Sequence, residues 1–129
     1  MTDTGTVRID AHLVLPLDDG TGLPMNQTIH ALRTDVPGLV VFPVILSPLD
    51  TDPDWWSVTH AASGKRLPTI FRSRAAAAAF ATAVGPLADW EEPQPRPADA
   101  AAVMTLAAEH GGITDREYRA ARAASAATT

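Results

Sequence analysis

The sequence contains no cysteine, one lysine and one tyrosine in 129 residues. The absence of cysteine excludes disulfides, thiolate zinc sites and cysteine nucleophiles, and it fits a reducing compartment, so we expect the cytoplasm. The first six residues are polar and lack the pattern of a signal peptide, and the longest apolar stretch, Leu39 to Leu46, is interrupted by Pro43. We therefore expect no membrane contact.

Arginine supplies nine of the ten basic residues, and alanine is abundant. This composition is typical of a high-GC bacterial genome. The length is that of one hydrophobic core, which is expected to be small because alanine contributes little buried area.

One segment, residues 55–84, contains no acid. Residues 1–54 hold eight acids against two bases, and residues 85–129 hold seven acids against four bases. Charge that is sorted by position bears on partners rather than on fold, so this acid-free segment is the first candidate for a binding surface. Its bases are Lys65, Arg66, Arg72 and Arg74.

The first fifty residues predict strands. Apolar residues alternate from Val7 to Leu17, which is the period of a half-buried strand. A turn at 18–22 permits a second strand around Gln27 to Thr34, although helical spacing after Pro24 leaves a helix as the alternative.

A turn at residues 36–38 comes before the third predicted strand. The apolar run 39–46 predicts a strand buried on both faces, with a bulge or an edge position at Pro43 because proline cannot donate a ladder hydrogen bond. Residues 47–54 are polar and contain two prolines, so we expect a connector there.

The acid-free segment itself predicts a hairpin followed by a helix. Strand character at 55–59 and 66–71 brackets a glycine-containing turn. Ser73 is placed to cap a helix over 74–84, and Gly85 with Pro86 ends that helix.

The chain changes character after Trp90. Residues 91–97 combine charge with three prolines, which predicts an extended linker. A helix is expected over 98–110, and the capping box Thr114–Glu117 starts a second helix through residue 124.

These patterns predict an α+β fold. We expect an antiparallel sheet of about five strands with one helix packed on it, followed by a C-terminal helical hairpin. The corresponding division is a sheet domain at 1–90, a proline-rich linker at 91–97, and the hairpin with a frayed tail at 98–129.

The order of residues in the acid-free segment carries a resemblance. A tryptophan strand, a glycine–basic turn, an aromatic second strand and an alanine-led helix follow one another from Trp55 to Val84. This resembles the AP2-like arm-binding modules of phage and mobile-element integrases, in which a small sheet lies on DNA. By that resemblance the four bases are candidates for contacts with phosphates. The alternative is that they are solvated or paired with Asp50, Asp52, Asp54 or Glu91.

A second resemblance covers residues 98–124. The leucine helix, the glycines before Ile113–Thr114 and the acid and aromatic that follow resemble the short C-terminal helical hairpins called SHOCT domains, which implies association. Two short helices are marginal in water, so their apolar stripe needs the sheet or another subunit as a partner surface. The stripe consists of Val103, Leu106, Ile113 and Tyr118.

The tryptophans and histidines are the remaining candidates for binding or catalysis. Adjacent Trp55 and Trp56 on a strand must point to opposite faces, so one of them is a candidate for partner contact. The alternative is that Trp90 or the C-terminal hairpin covers it. The aspartates at 50–54 have the alternation of a calcium loop but lack its later ligands, and the histidines lack ligand spacing, so no metal or cofactor is expected. A hydrolase would require His60 in a concave site beside an acid.

Taken together, the sequence favours a non-enzymatic accessory module of a bacterial mobile element or phage that binds another protein or a second copy of itself. A basic hairpin flanked by acids suits a charge-complementary protein contact. The alternative is DNA binding through the hairpin, and the third hypothesis is the small hydrolase.

Overall fold

The computed structural model describes residues 6–16, 21–47, 50–96 and 100–127. The fold is α+β, with an antiparallel sheet, as the sequence predicts. The strands are β1 (Thr6–Pro16), β2 (Gly22–Arg33), β3 (Leu39–Ser47), β4 (Asp50–His60), β5 (Lys65–Phe71) and the short β6 (Ile113–Thr114). The helices are α1 (Arg74–Val84), a 3-10 turn at Gly85–Leu87, α2 (Ala100–Glu109) and α3 (Asp115–Ala127). Within the described ranges, no helix is both long enough and apolar enough to cross a bilayer.

The strands follow one another in the sheet in the order of the sequence, each antiparallel to the next. In addition, β1 pairs in parallel with β5 at His12 and Lys65, where the backbone N–H of His12 donates to the carbonyl of Gly64 at 2.7 Å. The first five strands therefore form a ring. The pairing of β2 with β3 is short, at Leu32 and Arg33, whereas β2 pairs with β1 along nearly its whole length.

Buried apolar side chains of β1, β2 and β3 fill the interior of the ring. The predicted alternation in β1 is confirmed by its buried side chains, and the second segment is a strand and not a helix. Successive side chains of a strand point to opposite faces, so the buried members of β1 and β2 lie on one side of the hairpin. This ring-interior cluster consists of Ile9, Ala11, Leu13, Leu15, Ile29, Ala31, Val40 and Phe42.

The third strand is buried on both faces, as its continuous apolar run predicts. Val40 and Phe42 belong to the ring interior, whereas Leu39 and Val41 pack under the helices. The register shifts between Pro43 and Val44, which is the expected bulge at a residue that cannot donate to the ladder.

The predicted connector at 47–54 is wrong in its second half, because Asp50–Asp54 form the beginning of β4. Asp50 pairs with Ser47 and Asp52 pairs with Val44, across two register shifts. The irregular ladder accommodates Pro53, which cannot donate a hydrogen bond to it. Asp50 and Asp54 are exposed, so their charges stay in water while their backbone forms the strand. Pro48 and Leu49 lie outside the described residues.

The first helix covers the outer face of the sheet. The Ser73 hydroxyl accepts from the N–H of Ala76 at 3.0 Å, which confirms the predicted cap. The helix-side cluster joins this helix, the outer side chains of the sheet, Trp90 and α2. Its buried members are Leu39, Val41, Val58, Leu67, Phe71, Ala77, Phe80, Ala81, Val84, Trp90, Val103 and Ala107.

Two helices follow the linker, but the C-terminal helical hairpin is not confirmed. The second helix packs in the helix-side cluster, whereas Tyr118 of α3 packs with Val44 and Ile70 in a separate Tyr118 cluster. The unpredicted β6 separates them, since Ile113 and Thr114 add to the edge of β5. The capping box is present: the Thr114 N–H donates to Glu117 Oε1 at 2.9 Å, and the Glu117 N–H donates to Thr114 Oγ1 at 3.2 Å.

The predicted linker is a break in secondary structure over residues 91–96, and Pro97 lies outside the described residues. Residues on both sides of this break share the helix-side cluster, because Val103 and Ala107 pack with side chains of β3, β4 and α1. The division into a domain at 1–90 and a hairpin at 98–129 stays a prediction.

Candidate binding surface

The four bases of the acid-free segment do not form one patch. Lys65 begins β5 and Arg72 follows its last residue, so about 23 Å of strand separates them. Arg74 begins α1, close in sequence to Arg72. Lys65, Arg72 and Arg74 are exposed, and no ion pair within the described part of the chain involves any of them.

Arg66 is neutralised inside the fold. Its guanidinium lies 2.8 Å from one carboxylate oxygen of Asp115, and the other oxygen of Asp115 lies 2.8 Å from Arg119. The Arg66 side chain is 21% exposed. The acid that pairs with it therefore comes from α3, and not from the aspartates of β4 or from Glu91.

The structure brings Arg72 and Trp55 together. The guanidinium carbon of Arg72 lies 4.7 Å from the centroid of the Trp55 ring, within the range of a cation–π contact. Trp55 is half-buried, and its other neighbour is the ring of Tyr118, edge-on at 6.0 Å. We call Trp55, Arg72 and Arg74 the Arg72–Trp55 edge.

A network behind this edge holds Trp55 in place. The Tyr118 hydroxyl donates to Asp52 Oδ2 at 2.7 Å, and Arg122 lies 3.7 Å from the same oxygen. Burial, followed by the hydrogen bond to Asp52 and its charge, raises the pKa of Tyr118 well above its ordinary value. Tyr118 is consequently a neutral donor at physiological pH.

Sequence reasoning missed Asp115, Arg119 and Arg122 as parts of this region, although it named Asp52 as a possible partner of the four bases. A local signal was present, because Asp115 and Arg119, like Tyr118 and Arg122, are four residues apart on one helix and so share a face. The distance along the chain between α3 and its partners Asp52 and Arg66 hid the contact.

The predicted association residues pack within the protein's own fold. Val103 is buried and Leu106 is half-buried in the helix-side cluster, where α2 contacts α1, while Ile113 and Tyr118 belong to the Tyr118 cluster with side chains of β3 and β5. Leu106 and Ile113 are only half-buried, and a role of this stripe in association stays a prediction.

The three tryptophans have different environments. Trp55 and Trp56 do point to opposite faces: Trp56 packs against the helix-side cluster and donates its indole N–H to the carbonyl of Pro53 at 3.2 Å. Trp90 is buried and donates to the carbonyl of Val84 at 3.0 Å. Trp55 is thus the member placed beside an exposed base.

A groove of about 700 Å³ lies at the other end of β5, beside His60 and Lys65. His60 is 4% exposed, and its Nδ1 lies 2.7 Å from Ser63 Oγ. A hydrolase would need His60 in a concave site with an acid beside it. His60 does line a groove, but no hydrogen bond links it to an acid among the described side chains. No group of metal-ligating side chains was found in the described ranges.

Comparison of the chain with protein-family models, with curated proteins and with solved structures gives no match. The proposal for its function accordingly rests on residues and geometry.

Proposed function

We propose that this protein is a non-enzymatic accessory module that binds another protein through the Arg72–Trp55 edge. The observation that carries the proposal is an exposed arginine, without an acidic partner among the described residues, stacked on a half-buried tryptophan.

Several properties of this edge support a protein contact. Tryptophan and arginine are the residue types that most often dominate binding energy in interfaces. The network of Tyr118, Asp52 and Arg122 fixes Trp55 from behind, so less side-chain freedom is lost when a partner binds. The unpaired charge of Arg72 gives the surface a preference for a partner with an acidic residue opposite.

Covered sheet faces favour protein over DNA as the partner. Phe71 of β5 lies in the helix-side cluster and its neighbour Ile70 lies in the Tyr118 cluster, so helices cover both faces at this end of the hairpin. The net charge of −5 and the exposed Asp54 next to Trp55 add repulsion of phosphates. A role in a phage or mobile element extends the proposal, and integration or transfer genes beside this gene would support it.

Affinity capture from the native host tests the proposal. We expect tagged wild-type protein to retain a specific partner, and Trp55→Ala and Arg72→Ala to lose it. With the purified partner, Arg72→Ala should weaken binding about tenfold or more, as for an interface hot spot. Arg8→Ala is the matched control, since it removes an exposed arginine from β1 and should bind as wild type. Equal retention by Arg72→Ala and wild type would contradict the proposal.

The DNA alternative predicts a different result. A gel shift at low salt that falls steeply with added salt, and that the double change Arg72→Glu with Arg74→Glu abolishes, would favour nucleic acid as the partner. Absence of a shift at low salt removes this alternative.

A further inference from the structure

The groove beside His60 is a second, separate surface. Its walls are the beginning of β5, the segment 93–95 and α2, and Trp90 and Met104 contribute to its apolar side. The chain contains fifteen acids, yet none of the described residues that line the groove is an acid. Among its described lining residues the groove therefore carries basic, polar and apolar side chains but no carboxylate.

One exposed base lies at this groove. Lys65 lines it and forms no ion pair with any described residue, whereas the neighbouring Arg66 is committed to Asp115. A carboxylate that enters the groove would meet the lysine without competition from any acid among the described lining residues.

A buried polar atom in the wall lacks a partner. Ser63 Oγ accepts from the N–H of Lys65 at 3.1 Å and contacts His60 Nδ1, which leaves His60 Nε2 buried and without a hydrogen bond among the described groups. Most buried polar atoms are satisfied, so this atom is an exception. It is closed to solvent, so Lys65 is the charged group that the groove offers directly, beside a wall that is largely apolar.

The apolar wall suits a hydrophobic side chain. Met104 is 41% exposed and is one of two large hydrophobic side chains that stand out as exposed among the described residues. Methionine adapts to ligands of different shape. A volume of about 700 Å³ lies within the ordinary range for a ligand site.

We propose that this groove binds a short segment of a partner protein that carries a glutamate or aspartate beside an apolar side chain. The carboxylate pairs with Lys65, and the apolar side chain packs against Trp90 and Met104. A groove that joins an exposed lysine to an apolar wall suits a segment that carries an acidic and an apolar side chain together. The inference extends the proposed function to a second surface that shares no residue with the Arg72–Trp55 edge.

The test uses two libraries of short peptides with blocked termini, one with a fixed glutamate and one with a fixed glutamine, each flanked by random residues. The immobilised full chain should retain more of the glutamate library, with leucine, isoleucine, methionine or phenylalanine enriched next to the glutamate. For a selected peptide, calorimetry should show that Lys65→Ala weakens binding about tenfold, the loss of roughly one charge partner.

Arg8→Ala is the matched control, because it removes an exposed base of β1 that does not line the groove, and its affinity should equal that of wild type. Met104→Ala should reduce the enrichment of apolar residues while circular dichroism confirms that the variant is folded. Peptide binding that Arg72→Ala leaves intact would show that the groove acts independently of the Arg72–Trp55 edge. Equal retention of the two libraries, wild-type affinity in Lys65→Ala, or equally tight binding of octanoate would overturn the inference.

Discussion

Tyr118 is the side chain that ties the last helix to the sheet. Its hydroxyl donates to Asp52 in β4, its ring meets the edge of Trp55, and Arg122 lies 5.8 Å from its centroid. Burial is the largest cause of its raised pKa, and the bond to Asp52 and the charge of that group act in the same direction. The contact therefore depends on a protonated phenol.

We predict that the free energy of unfolding depends on this proton. Tyr118→Phe should cost about 1 kcal/mol at neutral pH, the usual value of a lost hydrogen bond. The unfolded tyrosine ionises near pH 10 and the folded one only at higher pH, so the contribution of Tyr118 is complete below about pH 10 and is lost as the pH rises above it.

Denaturant unfolding of wild type and Tyr118→Phe over a series from neutral to alkaline pH measures this effect. The two stabilities should converge above about pH 10, because the phenylalanine variant has no group to ionise there. The chain has a single tyrosine, so phenolate absorbance reports this residue alone. A gap that stays constant with pH would contradict the assignment.

The sequence predicts a side chain's contacts well when its partner lies a few residues away, and poorly when the partner is distant along the chain. The caps at Ser73 and Thr114 were predictable because donor and acceptor lie within three residues. The pairing of Arg66 with Asp115 was not, because many acids were equally available in the sequence and the fold selects among them. The contact between Arg72 and Trp55 depends in the same way on the register between β4 and β5.

Two glycines show how elements of secondary structure end in this fold. Gly38 in the turn before β3 has φ +94°, and Gly111 after α2 has φ +76°, a region that favours glycine. A Cβ added at Gly38 would lie 2.1 Å from the carbonyl oxygen of Trp90, whereas one at Gly111 would meet nothing within 4 Å. The two glycines therefore share a left-handed backbone conformation, but they differ in the room that is available for a Cβ atom.

We predict that alanine at these two positions separates steric from conformational cost. Gly111→Ala should lower the free energy of unfolding by about 1 kcal/mol, because alanine is strained in the left-handed conformation. Gly38→Ala should cost more than about 3 kcal/mol, since the backbone near Trp90 must move as well. Denaturant midpoints measure both values. Similar losses in the two variants would show that Trp90 does not pack against this turn.

Strands and helices were predicted where periodicity was strong. The alternation of β1, the apolar run of β3 and the capped α1 are all present. The beginning of β4 was missed because aspartate and proline are depleted in strands and only pairing with the end of β3 places them in one. The two residues of β6 are too few for a periodic signal, yet their pairing with β5 separates α2 from α3.

Folding partly undoes the segregation of charge along the sequence. Acids of β4 and α3 pair with bases that lie far from them along the chain, as in the ion pairs of Asp115 with Arg66 and of Asp52 with Arg122. The acid-free segment thus commits Arg66 to an ion pair within the fold, and it leaves Lys65 exposed at one end of β5 and Arg72 and Arg74 exposed beyond the other end. Linear charge patterns indicate which residues are available for partners, and the fold decides which of them act together.

The helices beyond the linker are expected to be required for the stability of the sheet. Val103 and Ala107 fill the helix-side cluster, and Tyr118 fills the cluster beside Val44. Burial of a large side chain contributes about 1.5–3 kcal/mol, so the loss of these groups approaches the total of about 5–15 kcal/mol typical of a small domain.

We therefore predict that a chain ending at Arg96 does not fold cooperatively. Its thermal transition, followed by circular dichroism, should be broad or shifted far below that of the full chain, and a hydrophobic dye should bind the uncovered helix-side cluster. Addition of residues 98–129 as a separate peptide should restore part of the transition, because the contacts that it makes are noncovalent. A sharp transition at the temperature of the full chain would instead show that residues 1–90 form an independent domain and that both C-terminal helices are free to serve another partner.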